Sequence, residues 1–140
     1  MAEDLSPSTG KIRIKITSPL AVVLDRECDS VLIPASFGDF LVMPRKAPAF
    51  YLLKKGEVIV REKGQPDKAY WVSMGVCEVR RDICAVMAWA EEKTSLRKDL
   101  IQKKLDEGEK VLPHLSAGDG RKALVHRMDF YRFILSEIKS

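Results

Sequence analysis

The sequence predicts an all-β sandwich or barrel followed by an α-helical hairpin. From residue 11 to about residue 90 apolar positions recur with period two, in short runs broken by turn residues; beyond that they recur at helical spacing. With 140 residues, 46% apolar and 31% charged, the chain is long enough for one globular domain or one domain with an appendage. The division implied is a tail over 1–10, a β-sandwich over 11–92 and a two-helix hairpin over 93–140.

Ile12, Ile14 and Ile16 alternate with Lys11, Arg13 and Lys15, the pattern of a half-buried strand. Strand-like runs follow over 21–24, 30–33, 40–43, 50–53, 57–61, 69–73, 76–79 and 83–89, separated by turn residues such as Ser18-Pro19, Gly38-Asp39, Gly75 and Arg81-Asp82. Eight or nine short strands with no helix between them predict antiparallel pairing. Past Trp89, Thr94 or Ser95 offers an N-cap for a helix carrying Leu96, Leu100, Ile101, Leu105 and Leu112, which Pro113 ends. Asp119 then caps a second helix, whose stripe is Leu124, Met128, Tyr131, Leu135 and Ile138. These apolar faces are long for a pair that covers only itself, so the hairpin is expected to bind another surface.

Composition argues against several functions. The net charge of +4 is spread along the chain rather than gathered, unlike the footprint of a nucleic-acid binder. No window is long and apolar enough for a transmembrane helix, and MAEDLSPSTG reads neither as a signal nor as a transit peptide. Cys28, Cys77 and Cys84 form no C-x-x-C pair and read as buried small hydrophobes. His114 and His126 lack zinc-site spacing; Asp25, Glu27 and Asp29 read as solvated charges; Trp71 and Trp89 read as core. Phosphate-binding glycine motifs and a nucleophile elbow are missing, so the residues point to a module that works by contact, without catalytic residues, metal or cofactor.

From about Ile12 to Ala90 by motif, and on to the C-terminus by the architecture of a sandwich followed by a two-helix hairpin, the chain resembles the epsilon subunit of the bacterial F-type ATP synthase, called delta in mitochondria. The matching residues are Thr17-Ser18-Pro19, the run from Ser30 to Ala35, Gly38-Asp39-Phe40, Val42-Met43-Pro44, Ala47-Pro48, the run from Leu53 to Val58, and the run from Val72 to Val79. The resemblance implies a non-catalytic rotor subunit that couples proton flow to ATP synthesis. Its sandwich would pack on the gamma subunit and the membrane ring of c subunits, at the cytoplasmic face of a bacterial membrane. Its hairpin would lie on the sandwich or extend into the catalytic alpha/beta hexamer and block hydrolysis, with Leu124, Met128, Tyr131, Leu135 and Ile138 as the docking face. Asp39, Arg45 and Lys46 would meet the c ring; Arg45-Lys46 stands where the family has Gly-His, and Met74-Gly75 where it has Gly-Gly. The ATP motif of some members is degenerate here, at Leu105, Asp106, Glu109 and Lys110, so nucleotide binding is not expected. The alternative is a free-standing sandwich that binds a protein, nucleic-acid or acidic-lipid surface.

Overall fold

The computed structural model describes residues 10–93 and 97–138. Eight strands precede the helices: β1 (Ile12–Thr17), β2 (Val22–Cys28), β3 (Ser30–Ala35), β4 (Gly38–Val42), β5 (Ala49–Leu53), β6 (Gly56–Arg61), β7 (Lys68–Arg80) and β8 (Ile83–Glu92). Then come α1 (Lys98–Val111), a 3-10 turn (Leu112–His114) and α2 (Asp119–Glu137).

The strands fold into a sandwich because β7 and β8 are long enough to serve both layers. The first half of β7 pairs with β6, from Lys68 opposite Val60 to Val72 opposite Gly56; its second half pairs with β5, from Gly75 opposite Leu53 to Val79 opposite Ala49. β8 accompanies β7 along its length and lends its first half to β1. One layer therefore runs β2-β1-β8-β7-β5, and the other closes through β6, β3 and β4. The β1–β8 pairing is parallel, an exception to the antiparallel pattern that strand spacing alone predicts.

Sequence reading divides β7 into two strands at Gly75, whereas the structure keeps one strand with a bulge between Ser73 and Val76. A Cβ on Gly75 would lie 2.4 Å from Ala88 Cβ and 2.4 Å from the Met87 carbonyl oxygen, so only glycine lets β8 approach there. Met74, beside it, sits at φ 55°, a left-handed conformation that costs an L-residue about 1–2 kcal/mol. The bulge lets one strand serve two layers, since an extra residue bends the strand and sharpens its twist.

Alternate residues fill the core. Ile12, Ile14 and Ile16 of β1 face Val31 and Ile33 of β3 within a cluster that also holds all three cysteines, buried as expected. Cys77 and Cys84 have their sulfurs 3.4 Å apart. Burial pushes the Cys28 thiol up to about 11, and the hydrogen bond to Cys77, followed by burial, raises that of Cys84, so these thiols are held protonated and unreactive. Asp25 and Glu27 are exposed and Asp29 is half-exposed, and two of them make surface ion pairs, with Arg13 Nε to Asp25 Oδ1 and Lys11 Nζ to Asp29 Oδ1 both at 2.7 Å. The Lys11 ammonium, followed by the Lys63 backbone N–H, holds the Asp29 carboxyl below the usual carboxylate range.

Candidate interaction surfaces

The described residues present three surfaces: the hairpin's seat, an open sheet face, and a basic groove at one end of the sandwich. The hairpin sits on the outer side of the layer containing β6. Its cluster consists of Ile101 and Leu105 from α1, Met128, Phe130, Tyr131 and Ile134 from α2, and Trp71 from β7, with Trp89 of β8 partly buried against it. The sandwich thus contributes two tryptophans to a cluster otherwise made by the hairpin itself. Trp71 meets Phe133 edge to face with centroids 5.6 Å apart, a geometry worth about 0.5–1.5 kcal/mol beyond burial. Lys93 lies 4.9 Å from the Trp71 centroid and Arg127 lies 6.0 Å from that of Trp89, so cations flank both rings. The Trp71 indole N–H is buried without an acceptor among the described residues, which costs about 1–3 kcal/mol.

The stripe read from the sequence turns inward here. Met128 and Tyr131 are buried, while Leu124, Leu135 and Ile138 pack against the cluster from its margin. Phe130 and Ile134 are more deeply buried than those three, because α2 meets α1 along one side and the tryptophans along another, giving a wider buried arc than a single stripe. Gly108, in the middle of α1, lets α2 come close: a Cβ there would stand 3.0 Å from Met128 Cγ. Asp119 is the first residue of α2, preceded by Gly118 as N-cap, and α1 begins after Arg97; neither N-cap makes a side-chain bond. The caps predicted at Thr94 and Ser95 lie outside the described residues.

Leu105, the first position of the degenerate ATP motif, is buried in the hairpin cluster. Asp106 accepts from Gln102 Nε2 at 3.0 Å, Glu109 pairs with Arg132 at 3.7 Å, and Lys110 lies in the last turn of α1.

The outer face of the other layer is uncovered among the described residues. Register places Leu52, Val76, Met87, Thr17 and Val22 in one row across β5, β7, β8, β1 and β2. Leu52 and Val22 are 62% and 56% exposed, and Met87 is 44% exposed. Phe50, 61% exposed, stands on the same face of β5 as Leu52. Exposed Leu52, Met87 and Val22, with half-buried Val76 and Thr17 between them, give this face the character of a protein-binding surface.

The third surface divides the residues assigned to the c ring. Asp39 lines a groove of about 330 Å³ with Pro34, Lys54, Trp71, Phe133 and Glu137, beneath the end of α2. Arg45 and Lys46 line a different one, of about 660 Å³, between the β4–β5 loop and the tip of the β7–β8 hairpin, where Arg80, Arg81 and Asp82 stand. Asp82 Oδ1 accepts from the Arg45 backbone N–H at 2.6 Å and ties the two loops together. Arg45, Arg81 and Asp82 all adopt positive φ, at 64°, 50° and 59°. Positive φ at both central residues of a two-residue hairpin loop is the signature of a type I′ turn, which favours Asn-Gly over Arg-Asp. Lys46 Nζ lies 4.7 Å from the Phe40 ring centroid, and Phe40, Phe37 and Tyr51 form a continuous aromatic cluster with centroids 5.0 to 6.0 Å apart.

The family model described as ATP synthase, Delta/Epsilon chain, beta-sandwich domain, matches residues 11–93. An ATP synthase epsilon chain from Granulibacter bethesdensis is 35% identical over 75 residues, 54% of this chain and 56% of that one. Another, from Gluconacetobacter diazotrophicus, is 32% identical over 77 residues, 55% of each chain. The chain thus spans about half the length of these curated relatives. In fold it is similar to a chain in the cryo-EM structure of the Euglena gracilis mitochondrial ATP synthase, with a TM-score of 0.64 at 14% identity, covering 99% of this chain and 88% of that one. The match over the whole sandwich makes the chain a member of the ATP synthase delta/epsilon family.

Proposed function

We propose that this chain is a non-catalytic central-stalk subunit of an F-type, proton-translocating ATP synthase, acting as the epsilon subunit. The observation that carries the reading is the two-part build: a family sandwich over 11–93 with a helical hairpin seated on it through two tryptophans. The relatives named above are epsilon chains, and the Euglena chain of similar fold belongs to an assembly described as OSCP/F1/c-ring. In this reading 11–92 forms the body, 93–140 the movable arm and 1–10 a tail. The body is peripheral, on the cytoplasmic face of a bacterial membrane.

The gamma subunit takes the open face, because a docking partner would cover the row from Leu52 to Val22. The c ring meets the end bearing Asp39, Arg45 and Lys46, and the two grooves described above would then contact different parts of the ring's polar loops. The hairpin reaches the alpha/beta hexamer by exchanging its seat on Trp71 and Trp89 for a subunit surface, using Leu124, Met128, Tyr131, Leu135 and Ile138. The switch requires two packings within a few kcal/mol of each other, and the Trp71 indole N–H, buried without an acceptor among the described residues, lowers the cost of leaving this seat.

Mixing the full chain with purified gamma subunit should give one co-eluting complex on size exclusion, and Met87→Glu should weaken it at least tenfold by placing a charge in a desolvated row. Co-elution of neither form would refute the stalk assignment. For the arm, reconstituted ATPase lacking residues 94–140 of this chain is expected to hydrolyse ATP faster; an unchanged rate would refute the inhibitory role.

A further inference from the structure

The helices can leave their seat by two routes: both depart from Trp71 and Trp89 together, or α1 and α2 part from one another. We propose that they leave as one closed hairpin, locked at its turn by Arg121.

Arg121, in the first turn of α2, donates through Nη1 to the carbonyl oxygens of Leu112 and Leu115, at 2.8 and 3.2 Å. Leu112 is the C-cap of α1 and Leu115 that of the 3-10 turn, so one guanidinium takes up carbonyls at an end where a helix leaves its own unpaired. A cation in the first turn opposes the dipole of its own helix, whereas at the end of α1 it meets the favourable pole, so Arg121 is placed to serve α1 from α2. The two helices are also fitted to each other along their length. A Cβ on Gly108 would stand 3.0 and 3.1 Å from Met128 Cγ and Sδ and 3.5 Å from Leu124 Cδ1. Lys104 Nζ lies 5.7 Å from the Tyr131 ring centroid, and Glu109 pairs with Arg132.

The joint with the sandwich is narrower. α1 packs chiefly on α2, and the sandwich is met chiefly by α2 through β7. The ion pair from α1 to β8, Lys104 to Glu91 at 3.4 Å, lies at the surface, where such pairs hold weakly. Departure of a closed hairpin therefore uncovers Trp71, Trp89 and Phe133 but breaks no hydrogen bond of the Trp71 indole, which has no acceptor among the described residues. Parting the helices would in addition break both Arg121 bonds and strip Ile101, Leu105 and Met128 of one another. In the closed form Met128 and Tyr131 hold the docking face against α1 from within, and Phe133, Leu135 and Ile138 at its margin meet the partner. That the hairpin leaves at all rests on the arm reading above; that it is one closed unit stands on its internal contacts.

The test is distance measurement by pulsed electron paramagnetic resonance on the full chain. The native cysteines are buried, so spin labels attach selectively at exposed introduced ones. Lys103→Cys/Asp129→Cys reports α1 against α2, and Gln65→Cys/Asp129→Cys reports the sandwich against α2. Trp71→Ala is expected to spread the Gln65–Asp129 distances while the Lys103–Asp129 pair keeps the single narrow peak of the wild type. Adding Arg121→Gln to Trp71→Ala should then cost the Lys103–Asp129 pair that peak as well. Circular dichroism on every form reads helix content, and its loss in Trp71→Ala alone would overturn the proposal. So would a spread Lys103–Asp129 peak in Trp71→Ala alone, because the helices would then part as they leave. An unchanged Gln65–Asp129 distance would overturn it too, by showing that the closed hairpin is held elsewhere than on Trp71, and an unchanged peak with Arg121→Gln would remove the lock. If the labels behave as expected while ATPase lacking residues 94–140 is no faster, the inhibitory role falls and this proposal stands; a faster ATPase with parted helices gives the reverse.

Discussion

A few backbone positions decide how this sequence folds. Gly75 is one, because neither the Met87 carbonyl nor Ala88 can retreat from an added Cβ without parting β7 from β8. Gly75→Ala is therefore expected to destabilise the sandwich by at least about 1–3 kcal/mol, the usual range for overpacking, read as a lower urea midpoint at unchanged slope. An unchanged midpoint would show that the bulge relaxes freely. The sequence presents Met74-Gly75 as a departure from the family's Gly-Gly, and the structure explains why it is tolerated. The glycine that must lack a side chain is retained, while the one replaced by Met74 needs only a positive φ, with its side chain 55% exposed. Arg81 follows a similar logic in the type I′ turn, where arginine gives up turn stability and places a base in the groove.

Among the elements, strand positions were readable from period-two alternation, because each strand buries one face and exposes the other. The continuity of β7 was not readable, since Gly75 marks a turn and a bulge equally well in one dimension. The helices were readable in place and approximate extent. The width of the buried arc on α2 was not, because Phe130 and Ile134 depend on where the sandwich lies. Trp71 and Trp89 read as core from their apolar strand context; Trp71 is buried and Trp89 partly so, but in the cluster that seats the hairpin rather than inside the sandwich. Trp71→Ala is accordingly expected to loosen the hairpin by about 3 kcal/mol while leaving the sandwich folded. Limited proteolysis should then cut between the sandwich and α1 much faster than in the wild type, with the fragment spanning the strands persisting. Equal cleavage rates would mean that the helices are held by something other than this seat.

At the scale of the molecule, the sandwich-plus-hairpin architecture was legible because both periodicities are strong and the family motifs fall in the strands and their turns. The grooves were less so. Arg45 and Lys46 stood out as a departure, yet nothing in the linear order sets them against Asp82, 37 positions from Arg45; the return of β7 and β8 along β5 does that. Asp39, near Arg45 in the chain, opens instead onto the groove beneath α2, because β4 separates the two. Among the described residues the hairpin covers one side of the sandwich, another side leaves Leu52, Met87 and Val22 exposed, and one end is basic, a distribution that fits the stalk proposal. The most direct test of that account is to purify this chain by an affinity tag from detergent-solubilised membranes of its own cells and identify what accompanies it. Gamma, the catalytic alpha and beta subunits and the c ring in fixed proportion are the predicted result. Recovery of the chain alone, or with nucleic acid and none of these subunits, would contradict it.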